Sequence, residues 1–180
     1  MVVQGDVMAA PRYSGVSTIN HWITALLVVA MLTLGYAAAA APAEATEDHV
    51  MAIHTSLGFF VFLVVVWRVG YRLVAGFAAP AEPAAWQRWT AWAAHRLILA
   101  GLLVQVATGP LYLFTEGEGV TVFGWFSVEI PLSALGFLHE PAEIVHVYLG
   151  LYLLPAVLLL HLAGAMHHIL ITRRDSPAEL

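Results

Sequence analysis

The sequence predicts an all-α integral membrane protein in which four spanning helices form a single bundle. Of its 180 residues, 61% are hydrophobic and only 11% are charged, and the mean hydropathy is +0.81. Soluble domains carry about a quarter charged residues, so most of this surface must face lipid. Four apolar stretches each reach the roughly 20 residues that a spanning helix needs.

The apolar stretches set the expected order of elements. What remains between them is too short for a soluble domain, so residues 1–180 are expected to form a single membrane domain. The longest connection, residues 115–142, is predicted to carry a short interfacial helix anchored by Trp125 and Phe126. Residues 75–87, which include two prolines, are predicted to form a turn. The predicted spans cover residues 18–40, 50–74, 91–114 and 143–171.

The charges predict the orientation of the spans. Every cationic residue is an arginine, and each lies before the first span, around the second connection or after the fourth span. Because positive residues stay on the cytoplasmic side, both termini are expected to be cytoplasmic and the acidic connections external. The opening residues lack the features of a removable signal peptide, so the first span is expected to direct insertion. The arginines are Arg12, Arg68, Arg72, Arg88, Arg96, Arg173 and Arg174; the external acids are Glu44, Glu47, Asp48, Glu116, Glu118, Glu129, Glu140 and Glu143.

The chain contains no cysteine and nine histidines. Without cysteine there can be no disulfide, no thiolate-ligated haem, no covalently attached c-type haem and no iron–sulfur cluster held by cysteine. The histidines are the feature that a functional hypothesis has to explain, because ionisable side chains inside a bilayer are costly.

Four histidines are expected to form two pairs. His21 begins the first span and His161 lies near the end of the fourth, both on the cytoplasmic side. His54 and His146 begin the second and fourth spans on the external side. Any one of them could be a neutral side chain bonded to a neighbouring carbonyl, but four at matched depths favour two bis-imidazole sites, one for each of two b-type haems. Two imidazoles saturate a haem iron, which suits electron transfer.

The spacing within the fourth span predicts an irregular helix. His146 and His161 are fifteen residues apart, which is roughly 22 Å along an ideal helix. At about 100° per residue, their side chains would differ in direction by about 60°. Pro155 removes a backbone donor between them, and a π-bulge that absorbs one residue would bring the pair closer to one face. We therefore predict irregular geometry around residues 151–155.

Small residues could leave room for a flat macrocycle. Gly58 and Gly150 each follow a predicted ligand by four residues, and Gly35 and Gly109 are expected near the external pair. Ordinary close packing of membrane helices also uses small residues, so this signal does not decide between the two explanations.

The remaining polar residues allow two interpretations each. His95, Arg96, His167 and His168 are expected at the cytoplasmic side, where they could surround a quinone head group or extend to water. Arg68 and Arg72 could bind haem propionates or mark the cytoplasmic headgroups, and the deeper Arg68 favours a propionate or quinone role. The external His49 and His139 are expected to be solvated.

Several short motifs occur in a familiar order, and with them the chain resembles the prokaryotic cytochrome b561 family of small four-helix, two-haem membrane cytochromes. The resemblance runs from Arg12 to about Asp175. One departure is the spacing of fifteen in the fourth span, where fourteen is expected. The motifs are Arg12-Tyr13, Asn20-His21-Trp22, His54-Thr55-Ser56-Leu57-Gly58, Trp67-Arg68, Tyr71-Arg72, His95, Thr108-Gly109-Pro110, His146, His161, His167-His168 and Arg173-Arg174-Asp175.

The resemblance implies the same ligand pairs, His21 with His161 and His54 with His146. Family members exchange electrons with quinone, and some oxidise superoxide externally and reduce ubiquinone. The His95 position, like that of His168, resembles those at the quinone site. A place in the bacterial inner membrane is also implied, and no nucleic-acid partner is expected.

Three functions follow as hypotheses. The first is an oxidoreductase that moves single electrons between an external donor, superoxide among the candidates, and membrane quinone. The second is a haem b membrane subunit of a hydrogenase- or dehydrogenase-like complex, docked through the acidic external connections. Those acids would not attract an anion such as superoxide. The third, less economical, is a histidine-based metal transporter.

Overall fold

The computed structural model describes residues 15–76 and 85–174, with side chains through Leu170. Most of the predicted turn at 75–87 lies outside the described residues, as does Arg12. The four-helix prediction is confirmed in its main point, because four helical stretches are long and apolar enough to cross a membrane. They are Gly15–Ala39, Glu44–Ala75, Ala85–Glu116 and Ser133–Leu170.

The first three spans are the single helices α1, α2 and α3, and the fourth is composite. A two-stranded hairpin, β1 and β2, stands between α3 and the fourth span. A 3₁₀ helix then leads into α4, a π-helical segment and α5. The bounds are α1 Gly15–Ala39, α2 Glu44–Ala75, α3 Ala85–Glu116, β1 Val120–Val122, β2 Phe126–Val128, the 3₁₀ helix Ser133–Leu138, α4 His139–Tyr148, the π-helical segment Leu149–Leu153 and α5 Leu154–Arg174.

All four helical stretches begin before the predicted spans. Glu44 and Glu47 lie in the first turn of α2, and Glu140 lies in the first turn of α4. These acids were expected in connections, but a carboxylate in a first turn is stabilised by the helix dipole. The apolar run marks only the part of a helix that faces lipid, so it predicts bounds that are too short.

The bundle centre is small and the outer faces are apolar. Large aliphatic side chains such as Leu26, Leu73 and Leu160 remain mostly exposed on the surface of the bundle. A helix that is hydrophobic on all sides is typical of a membrane span. The buried contact between the spans is made by Val28, Val61, Val65, Leu102 and Leu154.

The prediction of an interfacial helix anchored by Trp125 and Phe126 is wrong. These residues belong to an antiparallel hairpin in which Val122 pairs with Phe126 across a three-residue loop, residues 123–125. The Trp125 amide donates to the Val122 carbonyl. The two central residues of this turn have positive φ, 48° for Phe123 and 73° for Gly124, as a type I′ turn requires. Alternating side chains favour strands here, with Val122 fully buried and its neighbours outward.

The hairpin is held against the half of α2 that contains His54. Ser56 is buried; its hydroxyl accepts the Phe123 amide at 3.1 Å and lies 2.9 Å from the Thr121 carbonyl. The Phe60 and Phe123 rings stack with centroids 6.3 Å apart. Since Ser56 follows His54 by two residues, the hairpin lies next to the external histidine pair.

The predicted irregularity in the fourth span is confirmed, two residues earlier than expected. At the π-helical segment Leu149–Leu153, the Leu154 amide bonds to the Leu149 carbonyl, five residues back. Pro155 has no N–H to donate to the Leu151 carbonyl. The Tyr36 hydroxyl of α1 donates to that carbonyl instead, so a side chain from another span stabilises the irregular turn.

Candidate functional site

The two histidine pairs are named by the side of the membrane on which the sequence predicts them. The external pair joins α2 to α4. His54 and His146 are half-buried, and their ring centroids are 6.3 Å apart with the planes at 84°. They are 92 residues apart in the chain, so the fold brings together two side chains that only their predicted depth had connected.

The cytoplasmic pair joins α1 to α5, with a third histidine beside it. The ring centroids of His21 and His161 are 6.5 Å apart with the planes at 73°. His95 of α3 is closer to His161, at 5.2 Å between centroids, and is itself exposed. The cytoplasmic site is therefore a cluster of three imidazoles.

The distance within each pair matches two imidazoles on opposite sides of one metal ion. A metal–imidazole bond is about 2 Å long and the nitrogen lies about 1.1 Å from the ring centroid, which gives about 6.2 Å between centroids. Both pairs lie within a few tenths of an ångström of this distance. The 5.2 Å between His95 and His161 is too short for an iron between them. The geometry therefore favours His21 over His95 as the partner of His161.

Hydrogen bonds fix the tautomer of the neutral His146 ring. Its Nδ1 donates to the backbone carbonyl of Gln105 at 3.0 Å, and the Thr108 hydroxyl is 3.4 Å from the same nitrogen. Metal-bound histidines commonly donate their other ring N–H to a carbonyl in this way. Nε2 of His146 is then the nitrogen with a lone pair.

His54 has a different environment. Its Nδ1 is buried and has no hydrogen-bond partner among the described residues. An unpaired buried polar atom costs about 1–3 kcal/mol.

Two glycines lie directly against the external pair. A Cβ added to Gly109 would be 2.8 Å from Cε1 of His146, and one added to Gly35 would be 3.8 Å from Cε1 of His54. The other two predicted glycines face side chains. Gly58 lies against Met31, and Gly150 lies against Gln105.

Both candidate arginines turn toward α1. Arg68 donates to Oδ1 of Asn20 at 3.0 Å, and its Nη2 lies 3.2 Å from Nδ1 of His21. Arg72 donates to the hydroxyl of Ser17. Since Asn20 and Ser17 are buried, these contacts bring two positive charges to the cytoplasmic pair.

The other quinone candidates are spread over two helices. The Arg96 guanidinium lies over the Trp92 ring, 4.1 Å from its centroid. His167 and His168 are exposed on α5. His95 is in ring contact with the predicted ligand His161.

His139 was expected in a solvated loop, but it opens α4 with 30% of its side chain exposed. Its Nδ1 is 3.0 Å from the Tyr112 carbonyl, and its Nε2 lies 3.8 Å from Glu116 and 4.0 Å from Glu143. The Tyr112 ring is also 5.7 Å from that of His146. The contacts of His139 and Tyr112 therefore form a chain from the exposed acids to the ring of His146. His49, in contrast, is exposed on the first turns of α2.

Sequence reasoning missed Gln105 and Asn20. Each is an uncharged polar side chain inside a predicted span, and each contacts a predicted ligand or its arginine. The signal that could have found them is the cost of any polar group in hydrocarbon, which was applied only to ionisable residues.

The order of motifs, the four spans and the two histidine pairs can be compared with known proteins. Residues 12–176 match the sequence model of prokaryotic cytochrome b561. The chain belongs to the prokaryotic cytochrome b561 family. It is similar to cytochrome b561 homolog 2 of Escherichia coli (strain K12), with 25% identity over 167 residues that cover 92% of this chain and 88% of the relative.

Membership in the cytochrome b561 family makes this chain a multi-pass membrane protein of a haem b electron-transfer family. The residues present fit that group. Each pair has the distance that a bis-imidazole iron needs, and His146 has its other nitrogen engaged. Arg68 and Arg72 lie beside the cytoplasmic pair, where their positive charge could neutralise haem propionates.

Proposed function

We propose that this cytochrome b561 binds two b-type haems, an outer one between His54 and His146 and an inner one between His21 and His161. The observation that carries the proposal is the pair of centroid distances, 6.3 and 6.5 Å, in two clusters at opposite ends of the bundle. Haem supplies reversible one-electron transfer when bound. The histidines hold the iron, and Arg68 and Arg72 face the inner propionates.

The charges at the two ends support a direction through the bacterial inner membrane. Arg68 and Arg72 contact the start of α1 at one end, whereas Glu116 and Glu143 contact His139 at the other. With positive residues kept inside, both termini are cytoplasmic and the hairpin is external. The outer haem then faces the external donor and the inner haem faces the cytoplasmic side.

We propose that electrons pass from an external donor to membrane quinone, ubiquinone being the candidate acceptor. His95 is exposed beside the inner pair, and Arg96, His167 and His168 lie on the same side of the membrane. These groups can hold a quinone oxygen and deliver the protons that its reduction consumes. With superoxide as donor, two superoxide ions become two oxygen molecules while one quinone and two protons become quinol.

A superoxide assay tests the donor and the acceptor together. Purified protein is mixed with ubiquinone, catalase and a superoxide-generating system, and quinol formation is measured. The expected result is quinol formation that superoxide dismutase abolishes and that is absent without protein. Reduced haems without quinol would contradict the acceptor, whereas haems that stay oxidised would contradict superoxide as donor.

A second candidate function is a haem b subunit of a hydrogenase- or dehydrogenase-like complex. The observation that favours it is the acidic external surface around His139, with Glu116 and Glu143. This surface repels an anion but suits a basic protein. The subunit hypothesis gains support if superoxide does not reduce the haems and a basic partner protein reduces the outer haem.

The metal-transporter hypothesis requires a group of metal ligands. In ranges 15–76 and 85–174, no group of three or more histidine, aspartate or glutamate residues is arranged to hold a metal ion.

A substitution at Gly109 tests the outer site by filling the space beside His146 without changing a polar group. A Cβ there would come within 2.8 Å of Cε1 of His146, whose ring is held by the Gln105 carbonyl and cannot easily withdraw. Overpacking costs about 1–3 kcal/mol, so Gly109→Ala is expected to weaken outer-haem binding about tenfold, since about 1.4 kcal/mol is a factor of ten. Haem titration of the purified variant measures this.

The matched control is Gly164→Ala, because a Cβ at Gly164 meets nothing within 4 Å. It should bind both haems as the unchanged protein does. Equal haem content and affinity in the two variants would contradict the placement of the outer haem beside Gly109.

A further inference from the structure

Gln105 is a polar side chain within the apolar α3, and it contacts the outer ligand twice. Its Nε2 donates to the backbone carbonyl of His146 at 3.1 Å and lies 3.3 Å from Nε2 of the same residue. The backbone carbonyl of Gln105 accepts the Nδ1–H of His146 at 3.0 Å. The backbone of Gln105 therefore fixes the tautomer, and its side chain reaches the nitrogen on the ligand side of the ring.

The neighbouring helix leaves space for this amide. A Cβ on Gly150 would be 2.8 Å from Nε2 of Gln105, so a larger residue there would displace the side chain. Oε1 of Gln105 is buried and has no hydrogen-bond partner within residues 15–76 and 85–170. A buried amide in an apolar span is costly, and a leucine would satisfy packing without that cost. We therefore expect the amide of Gln105 to have a function at His146, the residue that it contacts.

We propose that Gln105 is a positioning residue for the outer haem, and that its amide raises the reduction potential of that haem. The inference rests on the proposed ligation by His146. If Nε2 of His146 held the iron, the Gln105 amide would keep its hydrogen bond to the His146 carbonyl. The positive end of its N–H dipole stays next to the ligand.

The direction of the effect follows from charge. Reduction adds one electron to the haem, and a fixed N–H dipole with its positive end toward the site stabilises the added negative charge. Electrostatic effects of this kind are stronger in a low-dielectric interior than in water. Near the inner pair, the group that contacts His21 is the Arg68 guanidinium, at 3.2 Å from Nδ1. The two haems should therefore respond differently to a change at Gln105.

The test is a spectroscopic redox titration of purified, haem-loaded protein carrying Gln105→Met. Methionine has a similar length and no N–H. At a fixed ambient potential, the ratio of reduced to oxidised outer haem should fall about tenfold, which corresponds to about 59 mV for one electron. The inner haem should keep its potential, and both haems should remain bound. Leu103→Met, at an exposed position on the same helix, is the matched control and should change neither haem.

Gly150→Ala provides an independent variant that keeps Gln105. The added Cβ would push the amide from its position, so the outer potential should fall in the same direction. If Gln105→Met does not fold, this variant decides. An unchanged outer potential in the folded variants, or an equal shift in both haems, would overturn the inference. An unchanged protein that binds no outer haem would instead overturn the proposed ligation.

Discussion

Replacing His54 or His146 with alanine should remove the outer haem and leave the inner one. Their ring centroids are separated by the distance that two imidazoles on one iron would require, and a haem held by one histidine would no longer be six-coordinate and low-spin. The haem content should fall from about two to about one per chain in either variant, measured by extraction assay. The dithionite-reduced spectrum should lose the same component in both.

Replacing His21 or His161 with alanine should remove the inner haem. The variant His95→Ala tests whether His95 is a ligand or only a neighbour of His161. His95 lies closer to His161 than His21 does, but at 5.2 Å it leaves no room for an iron. His95→Ala is therefore expected to keep both haems, whereas His161→Ala keeps only the outer one. The exposed His167 gives a neutral control as His167→Ala. Retention of both haems by His161→Ala, with a loss in His95→Ala, would show that the inner pairing is wrong.

Much of this arrangement follows from the sequence for a simple physical reason. A bilayer imposes a fixed thickness and excludes unpaired polar groups, so an apolar run predicts a span. Depth within the span then predicts which histidines meet. His54 and His146 could be paired by depth alone, although they are 92 residues apart. Pro155 likewise predicted a disturbance, because the missing N–H is a property of the residue and not of its neighbours.

What could not be predicted depends on contacts between spans. The hairpin at Phe123 is stabilised by Ser56 of α2 and by stacking on Phe60, neither of which is near it in sequence. The helix bounds were too short because charged first turns look like loops in a hydropathy pattern. Gln105 was missed because its role depends on facing His146 and Gly150 across the bundle.

The π-helical segment leads to a second prediction, which concerns the helical register of His161 relative to His146. Fifteen residues of regular helix would turn His161 about 60° away from His146, and the segment Leu149–Leu153 reduces this by absorbing one residue. Deleting Leu153 should let the helix become regular with a spacing of fourteen. Both haems should then be retained, with a content of about two per chain. The segment would thus accommodate the extra residue without being needed for haem binding itself.

Inserting one alanine after Leu153 should have the opposite effect. It turns everything beyond it by about 100°, and His161 is the ligand that moves, because Gln105 and Thr108 hold His146. The inner haem should be lost and the outer one kept, measured by haem content and the reduced spectrum. An alanine inserted after Ala165, beyond both ligands, is the control and should leave both haems bound. If the insertion after Leu153 kept both haems while the deletion lost one, the π-helical segment would be required for binding, and the register argument for His161 would fail.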